Sequence, residues 1–343
     1  MTLPLGFDAT AGRKAVDNVP EDVVPPDYPR VRDLGGGVLQ VDTGHLGNPG
    51  TIAVFALPLP SGGFALVESG PGSTRAAVLA GLREAGLDPR DLRYVLLTHI
   101  HLDHAAAAGA LLEGTDAQLV VHEAGAPHMI DPNRLMASAL RVYGDALPAL
   151  WGTMLPVPAE RVRAVAGGET LDVGGLTVRV IATPGHASHH VGYLLDDGTL
   201  FTGDGAGVRL GGSDLLRPAL PPPDLDLEVW RGSVERMLAA APERLVLTHF
   251  GEVAGREAAA AHLRAVGERN RVWSEAVLSG LNAGEDDAAL VARVQRLEDA
   301  ELAAAGVLPG IRLRYKITSD AAMTVAGVKR YFTKLHPERL TTA

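Results

Sequence analysis

Apolar and polar positions alternate in short blocks over the first two-thirds of the chain, then settle into a longer period towards the end. VLQVDTG, TIAVFALPL and GFALVESGPG, residues 38–44, 51–59 and 63–72, predict strands of a meander, with Pro60-Ser61-Gly62-Gly63 as the turn before the third. STRAAVLAGLREAGLDP carries apolar residues at helical spacing and predicts a helix ending near Gly86 and stopped by Pro89. DLRYVLLTH follows at once as a strand. AAAAGALLEG, QLVVHE and residues 125–151 then read as helix, strand and a longer helical region. From Val162 at least four more strands are expected, with Gly174-Gly175 and Asp197-Gly198 as hairpin turns. DLEVWRGSVERMLAAAPERLVLTHFG reads as a helix followed by a buried strand.

RLVLTHFG echoes YVLLTHIH, an apolar run closed by Thr-His. Two strand–helix halves that each deliver polar residues from a strand end predict a doubled α/β architecture, with two facing sheets and helices outside. Beyond residue 252, EVAGREAAAAHLRAVGERNRVWSEAVLSGL, DDAALVARVQRLEDAELAAAG and SDAAMTVAGVKRYFTKL predict three amphipathic helices. The expected organisation is an N-terminal arm (1–34), an α/β domain (35–252) and a helical C-terminal extension (253–343) that packs on the core or joins two copies as a homodimer.

Composition narrows the chemistry. The 343 residues, 46% hydrophobic, suffice for one large core or two moderate ones. A net charge of -10 argues against a nucleic-acid partner, whose binding rests on Lys and Arg. With no cysteine, thiolate metal sites are excluded, so any metal must be held by His, Asp, Glu and water. No apolar run reaches the roughly 18 residues of a membrane span, and the N-terminus does not read as a secretory signal, so a cytoplasmic location is expected.

The histidines are not evenly spread. His99, His101, Asp103 and His104 fall within six positions at the end of an apolar run. Thr183-Pro184-Gly185-His186 and Thr248-His249-Phe250-Gly251 repeat the arrangement, and Phe201-Thr202-Gly203-Asp204 carries a carboxylate in the same place. In extended chain His99, His101 and Asp103 point to one side, and a turn into helix would bring His101 and His104 onto one face. Five His and two Asp exceed what one tetrahedral ion can use. They suit two divalent cations bridged by a carboxylate and a water. Zinc is the expected metal, with iron or manganese as alternatives, since this donor set suits all three.

On these motifs the chain resembles the metallo-β-lactamase superfamily, of the glyoxalase II-like and lactonase-like hydrolase type, over about residues 35–252. The resemblance implies an αβ/βα four-layer sandwich of two mixed sheets with the metal site between them. It places His99, His101 and His186 on one metal, Asp103, His104 and His249 on the second, and Asp204 between. It implies hydrolysis of an ester, thioester or lactone carbonyl in a small-molecule substrate, with Asp103 or Asp204 passing a proton to the leaving group. Glu68 stands where many members carry an acidic residue in a D-x-G turn, and could orient a metal ligand or cap the turn. Gly207 stands where lactonases often place a tyrosine, which argues against a dedicated acyl-homoserine lactonase. The alternative reading is an iron-dependent oxidoreductase of the same fold, persulfide dioxygenase-like, using two His and one Asp. His122, His189 and His190 are further candidates for contact with the site, and Tyr143, Trp151 and Tyr315 for its lining. His45, His128, His262 and His336 read as surface or packing residues.

Overall fold

The computed structural model describes residues 29–341, so most of the expected N-terminal arm lies outside the described residues. Among the described residues, thirteen strands form two sheets. The first runs β1 (Val31–Asp33), β2 (Leu39–Asp42), β3 (Ala53–Pro58), β4 (Phe64–Val67), β5 (Leu92–Leu96), β6 (Gln118–His122) and β7 (Val162–Val165), each beside the next. The second is β8 (Thr170–Val173), β9 (Leu176–Ala182), β10 (Val191–Leu195), β11 (Thr199–Phe201), β12 (Arg244–Leu247) and β13 (Gly251–Ala254), again in sequence order. Each sheet opens as an antiparallel meander. Pairing turns parallel at β4–β5, β5–β6 and β6–β7 in the first and at β11–β12 in the second, wherever a helix supplies the crossover.

The strands bury both faces. In β3, Val54 and Ala56 face the outer helices while Phe55 and Leu57 face the opposite sheet. Leu96 and Val120 face that way too, as do Tyr193, Phe201 and Val246 from the other side, and the Phe55 and Phe201 rings meet at 5.6 Å. This double burial is why RYVLL, QLVV and RLVL read as near-continuous apolar runs rather than alternating ones. Helices Arg75–Glu84, Leu102–Ala105, Ala108–Leu112 and those of 126–151 cover the first sheet. Helix Leu227–Ala239 and the C-terminal helices cover the second. The four layers of an αβ/βα sandwich are therefore present.

Three elements depart from the sequence pattern, the first being β1, which lies inside the expected N-terminal arm and pairs with β2 at the edge of the first sheet. EVA continues the second sheet as β13, so helix begins only at Arg256. A fourth C-terminal helix, Pro309–Thr318, joins Arg256–Asn282, Asp287–Ala304 and Ala321–Lys334. Its segment lacks a clean apolar period because it buries Arg314 and Tyr315 together with Ile311. None of the helices among the described residues is long and apolar enough to cross a membrane.

Candidate metal centre

Every sequence-selected motif follows a strand, and all of these strand ends converge. β5 runs into His99 and the short helix that carries Asp103 and His104. β9 delivers His186, β11 Asp204 and β12 His249. The parallel pairs β4–β5 and β11–β12 set carboxyl ends side by side, which is where open α/β sheets place their sites.

The donor atoms fall into groups. One ligand atom each from His99, His101 and His186 lies within 4.8 Å of the others, and the same holds for Asp103, His104 and His249. Asp204 stands between the groups. Its Oδ2 is 3.3 Å from His186 Nε2, while its Oδ1 is 3.3 Å from His104 Nε2 and 3.4 Å from His249 Nε2. Asp103 Oδ2 closes the second group at 3.3 Å from His249 Nε2 and 3.5 Å from His104 Nε2.

Four of the five rings are held from behind. His249 Nδ1 meets the Thr51 carbonyl at 2.7 Å and His186 Nδ1 the Ala219 carbonyl at 2.9 Å. His104 Nδ1 meets Glu68 Oε1 at 3.1 Å and His99 Nδ1 meets Thr98 Oγ1 at 3.1 Å. Anchoring Nδ1 aims each Nε2 at the centre, an arrangement that fixes tautomer and orientation in metal sites. Glu68 is a junction: fully buried, with φ 66, it also accepts from the Thr98 amide and from the Thr98 and Thr248 hydroxyls. The repeated Thr-His of the two strand ends thus has a physical reason, because both threonines bind the same carboxylate. Glu68 occupies the turn in a left-handed conformation and its carboxylate meets His104, whereas the amides of the turn at Ser69 and Gly70 bond the His104 carbonyl rather than the Glu68 side chain.

The electrostatics divide the histidines. Burial, joined by neighbouring rings, holds His99 and His101 well below the usual imidazole range, and burial likewise lowers His186. Burial opposes charge on His104 and His249 as well, but the Asp103 and Asp204 carboxylates outweigh it and raise both. Burial also opposes ionisation of Asp103 and Asp204, yet the adjacent His104 and His249 hold both carboxyls low. Among the described residues, Glu68, Asp103 and Asp204 have no Lys or Arg partner. His104 Nε2 and Asp204 Oδ1 are buried without a hydrogen-bond partner, although they face each other. Aligned imidazole donors, buried carboxylates and orphaned polar atoms at the centre fit divalent cations.

The other histidines sort differently. His190 is fully buried, bonds Thr183 Oγ1 at 2.7 Å and packs 4.9 Å from the His99 ring. His189 lies parallel to His99 at 6.1 Å and its Nδ1 is 3.4 Å from the Ile100 amide. His122 is half-buried and caps its own turn through the Ala124 amide. His45, expected to be a surface or packing residue, is buried. Nothing in its local pattern marks it, since it lies between two glycines in a loop. Trp151 stacks on His45 and Tyr143 meets Trp151 edge-on, whereas Tyr315 lies in the C-terminal packing.

Residues 47–249 match the family profile described as the metallo-beta-lactamase superfamily. A metallo-beta-lactamase fold-containing protein of Sulfurisphaera tokodaii is 34% identical over 165 residues, which span 47% of this chain and 62% of that protein, less than two-thirds of its length. A hydroxyacylglutathione hydrolase of Rhodopseudomonas palustris is 29% identical over 239 residues, covering 63% of this chain and 79% of that one. Among solved structures, an archaeal superfamily protein from Sulfolobus tokodaii superposes with a TM-score of 0.55 at 27% identity, over 68% of this chain and 94% of that one. With its fold, its strand-end ligand groups and this match, the chain belongs to the metallo-beta-lactamase superfamily.

Proposed function

We propose that the protein is a dinuclear metal-dependent hydrolase acting on an ester, thioester or lactone carbonyl of a small molecule. The observation that carries this reading is the split of Asp204, one oxygen towards His186 and the other towards His104 and His249. His99, His101 and His186 would hold one cation, Asp103, His104 and His249 the second, and Asp204 would bridge them. Bound there, divalent cations, with zinc the expected metal, supply Lewis acidity and lower the pKa of water.

The chain's own groups do the rest. Asp204 is almost closed off and serves the bridge, whereas Asp103 keeps a side chain 21% exposed and reaches the open side. We assign Asp103 the transfer of a proton towards the leaving group. The Thr51 and Ala219 carbonyls and Glu68 hold the imidazoles in the tautomer that leaves Nε2 free to bind. The likeness to a hydroxyacylglutathione hydrolase supports a carbonyl substrate. The experiment is metal content per chain by elemental mass spectrometry, after growth in zinc- and in iron-supplemented media, followed by assays on lactones, thioesters and esters. About two metals per chain with turnover in that panel is expected. One iron per chain in either medium, with no hydrolysis, overturns the reading in favour of an oxidoreductase.

A further inference from the structure

A cavity of about 950 Å³ lies where the edge strands β1, β2 and β13 meet the loop after Asp204 and the C-terminal helices. Its size suits a small-molecule ligand. None of the seven residues assigned to the metal centre lines it.

The charge of its wall runs against that of the chain. Arg32, Arg209 and Arg269 all stand there, in a protein of net charge -10. Asp214 and Glu252 share the wall, but Arg209 engages the first at 2.9 Å and Arg244 the second at 3.0 Å. Arg269 is paired with Glu301 at 2.6 Å. Arg32 has neither an ion pair nor a side-chain hydrogen bond among the described residues. It sits directly across from Gln40 in the β1–β2 ladder, so the two side chains share the face that borders the cavity. All three arginine side chains reach solvent: Arg32 is exposed, and those of Arg209 and Arg269 are 25% and 37% exposed.

The Arg209–Asp214 pair is the one that an incoming anion can open. The Asp214 side chain is 94% exposed, so the pair is well solvated and contributes little stability. Arg209 is held independently of it. Its amide donates to the His249 carbonyl, its carbonyl accepts from the Phe250 amide at 2.9 Å, and its Nη1 donates to the Glu252 carbonyl at 3.3 Å. Leu216, Phe250 and Leu308 supply apolar wall, and Leu308 is 67% exposed, so it offers surface for an apolar chain to cover.

We propose that this cavity binds a small amphiphilic anion, a carboxylate or phosphate monoester with an apolar chain, at a site separate from the metal centre. Arg32 and Arg209 take the anionic group, which displaces Asp214 from Arg209, and the chain lies on Leu216, Phe250 and Leu308. Guanidinium suits either head group, because its planar fork donates to two oxygens at once. The site does not depend on the metal centre being hydrolytic.

The test is isothermal titration calorimetry of the metal-loaded protein with hexanoate, hexyl phosphate and hexanol. At least one of the two anions is expected to bind once per chain, the tighter one identifying the head group. Hexanol should bind about ten-fold more weakly, and Arg32→Gln and Arg209→Gln should each weaken the anion by a similar factor at an unchanged thermal midpoint. Arg32→Gln removes an exposed side chain that holds no partner among the described residues, so its fold is retained. Anion binding untouched by both substitutions lies elsewhere, the metals included, and overturns the proposal. Hexanol binding as tightly as the anions overturns it too, as does binding of neither anion.

Discussion

At the scale of single residues, the centre depends on groups that never touch its middle. Glu68 accepts four hydrogen bonds from Thr98, His104 and Thr248. Glu68→Gln puts an amide donor against those N–H and O–H groups, and metal affinity measured by chelator competition should fall by about 10- to 100-fold. Unchanged affinity would show that His104 is oriented by something else. Asp42 makes a different prediction. Desolvation pushes its carboxyl up to about 6, against the hydrogen bonds from Gly44 and Gly50, while the unfolded chain titrates near 3.8. Between those values the folded state holds more proton than the unfolded one. Its contribution is therefore most favourable below pH 4, declines as pH rises to 6, and stays at the lower level above. The change is worth about 3 kcal/mol. Denaturation of wild type and Asp42→Asn across pH 4 to 7 should show the difference shifting against the wild type through this window. A constant difference would contradict it.

At the scale of elements, short connections aim the ligands. Asp226 caps helix Leu227–Ala239 by accepting from the Glu228 and Val229 amides, and its own amide binds the Gly185 carbonyl next to His186. Gly185 has φ 135, and a Cβ there would lie 2.3 Å from Trp230 Cβ. Asp226→Ala removes the cap alone, at a cost of about 1 kcal/mol with metal content retained. Gly185→Ala forces the His186 turn away from the helix, so metal per chain should drop as well. Elemental analysis and thermal melting together separate the two. The TPGH motif was legible because Gly and Pro punctuate it. That its glycine is required by the backbone of a helix 45 residues on was not, because such a contact leaves no local pattern.

At the scale of the whole molecule, the C-terminal helices share one apolar core with the second sheet, in which Trp230, Leu245 and Leu247 pack with Trp273, Val277 and Val328. One ion pair passes through the junction. Arg217, fully buried, pairs with Glu298 and lies between the Trp273 and Tyr315 rings at 5.2 and 5.0 Å. Arg217→Met leaves Glu298 buried and unpaired, and should cost about 3–5 kcal/mol. The double variant Arg217→Met, Glu298→Met should recover most of that loss in chemical denaturation, because two apolar chains replace the pair. Failure of the double variant to recover would assign the loss to the cation–π packing instead. Arg314 links the same helices to the loop that bears His45 and Thr51. The C-terminal region therefore bears on the loop that anchors His249 as well as on stability.

While the four-layer sandwich came from the family resemblance and the edge strand Val31–Asp33 was missed, the motifs of His99 to His104, His186, Asp204 and His249 were readable from the chain alone, as were most of the strands and two facing sheets with helices outside. Each is a local signal: clustered metal-capable side chains, apolar runs buried on two faces, glycine and proline at turns. Only tertiary structure decided which Asp204 oxygen faces which group, that Glu68 is shared by two threonines 150 residues apart, and that His45 stacks on Trp151. These depend on where separate strand ends meet, and periodicity within one segment carries no information about the segment packed across from it.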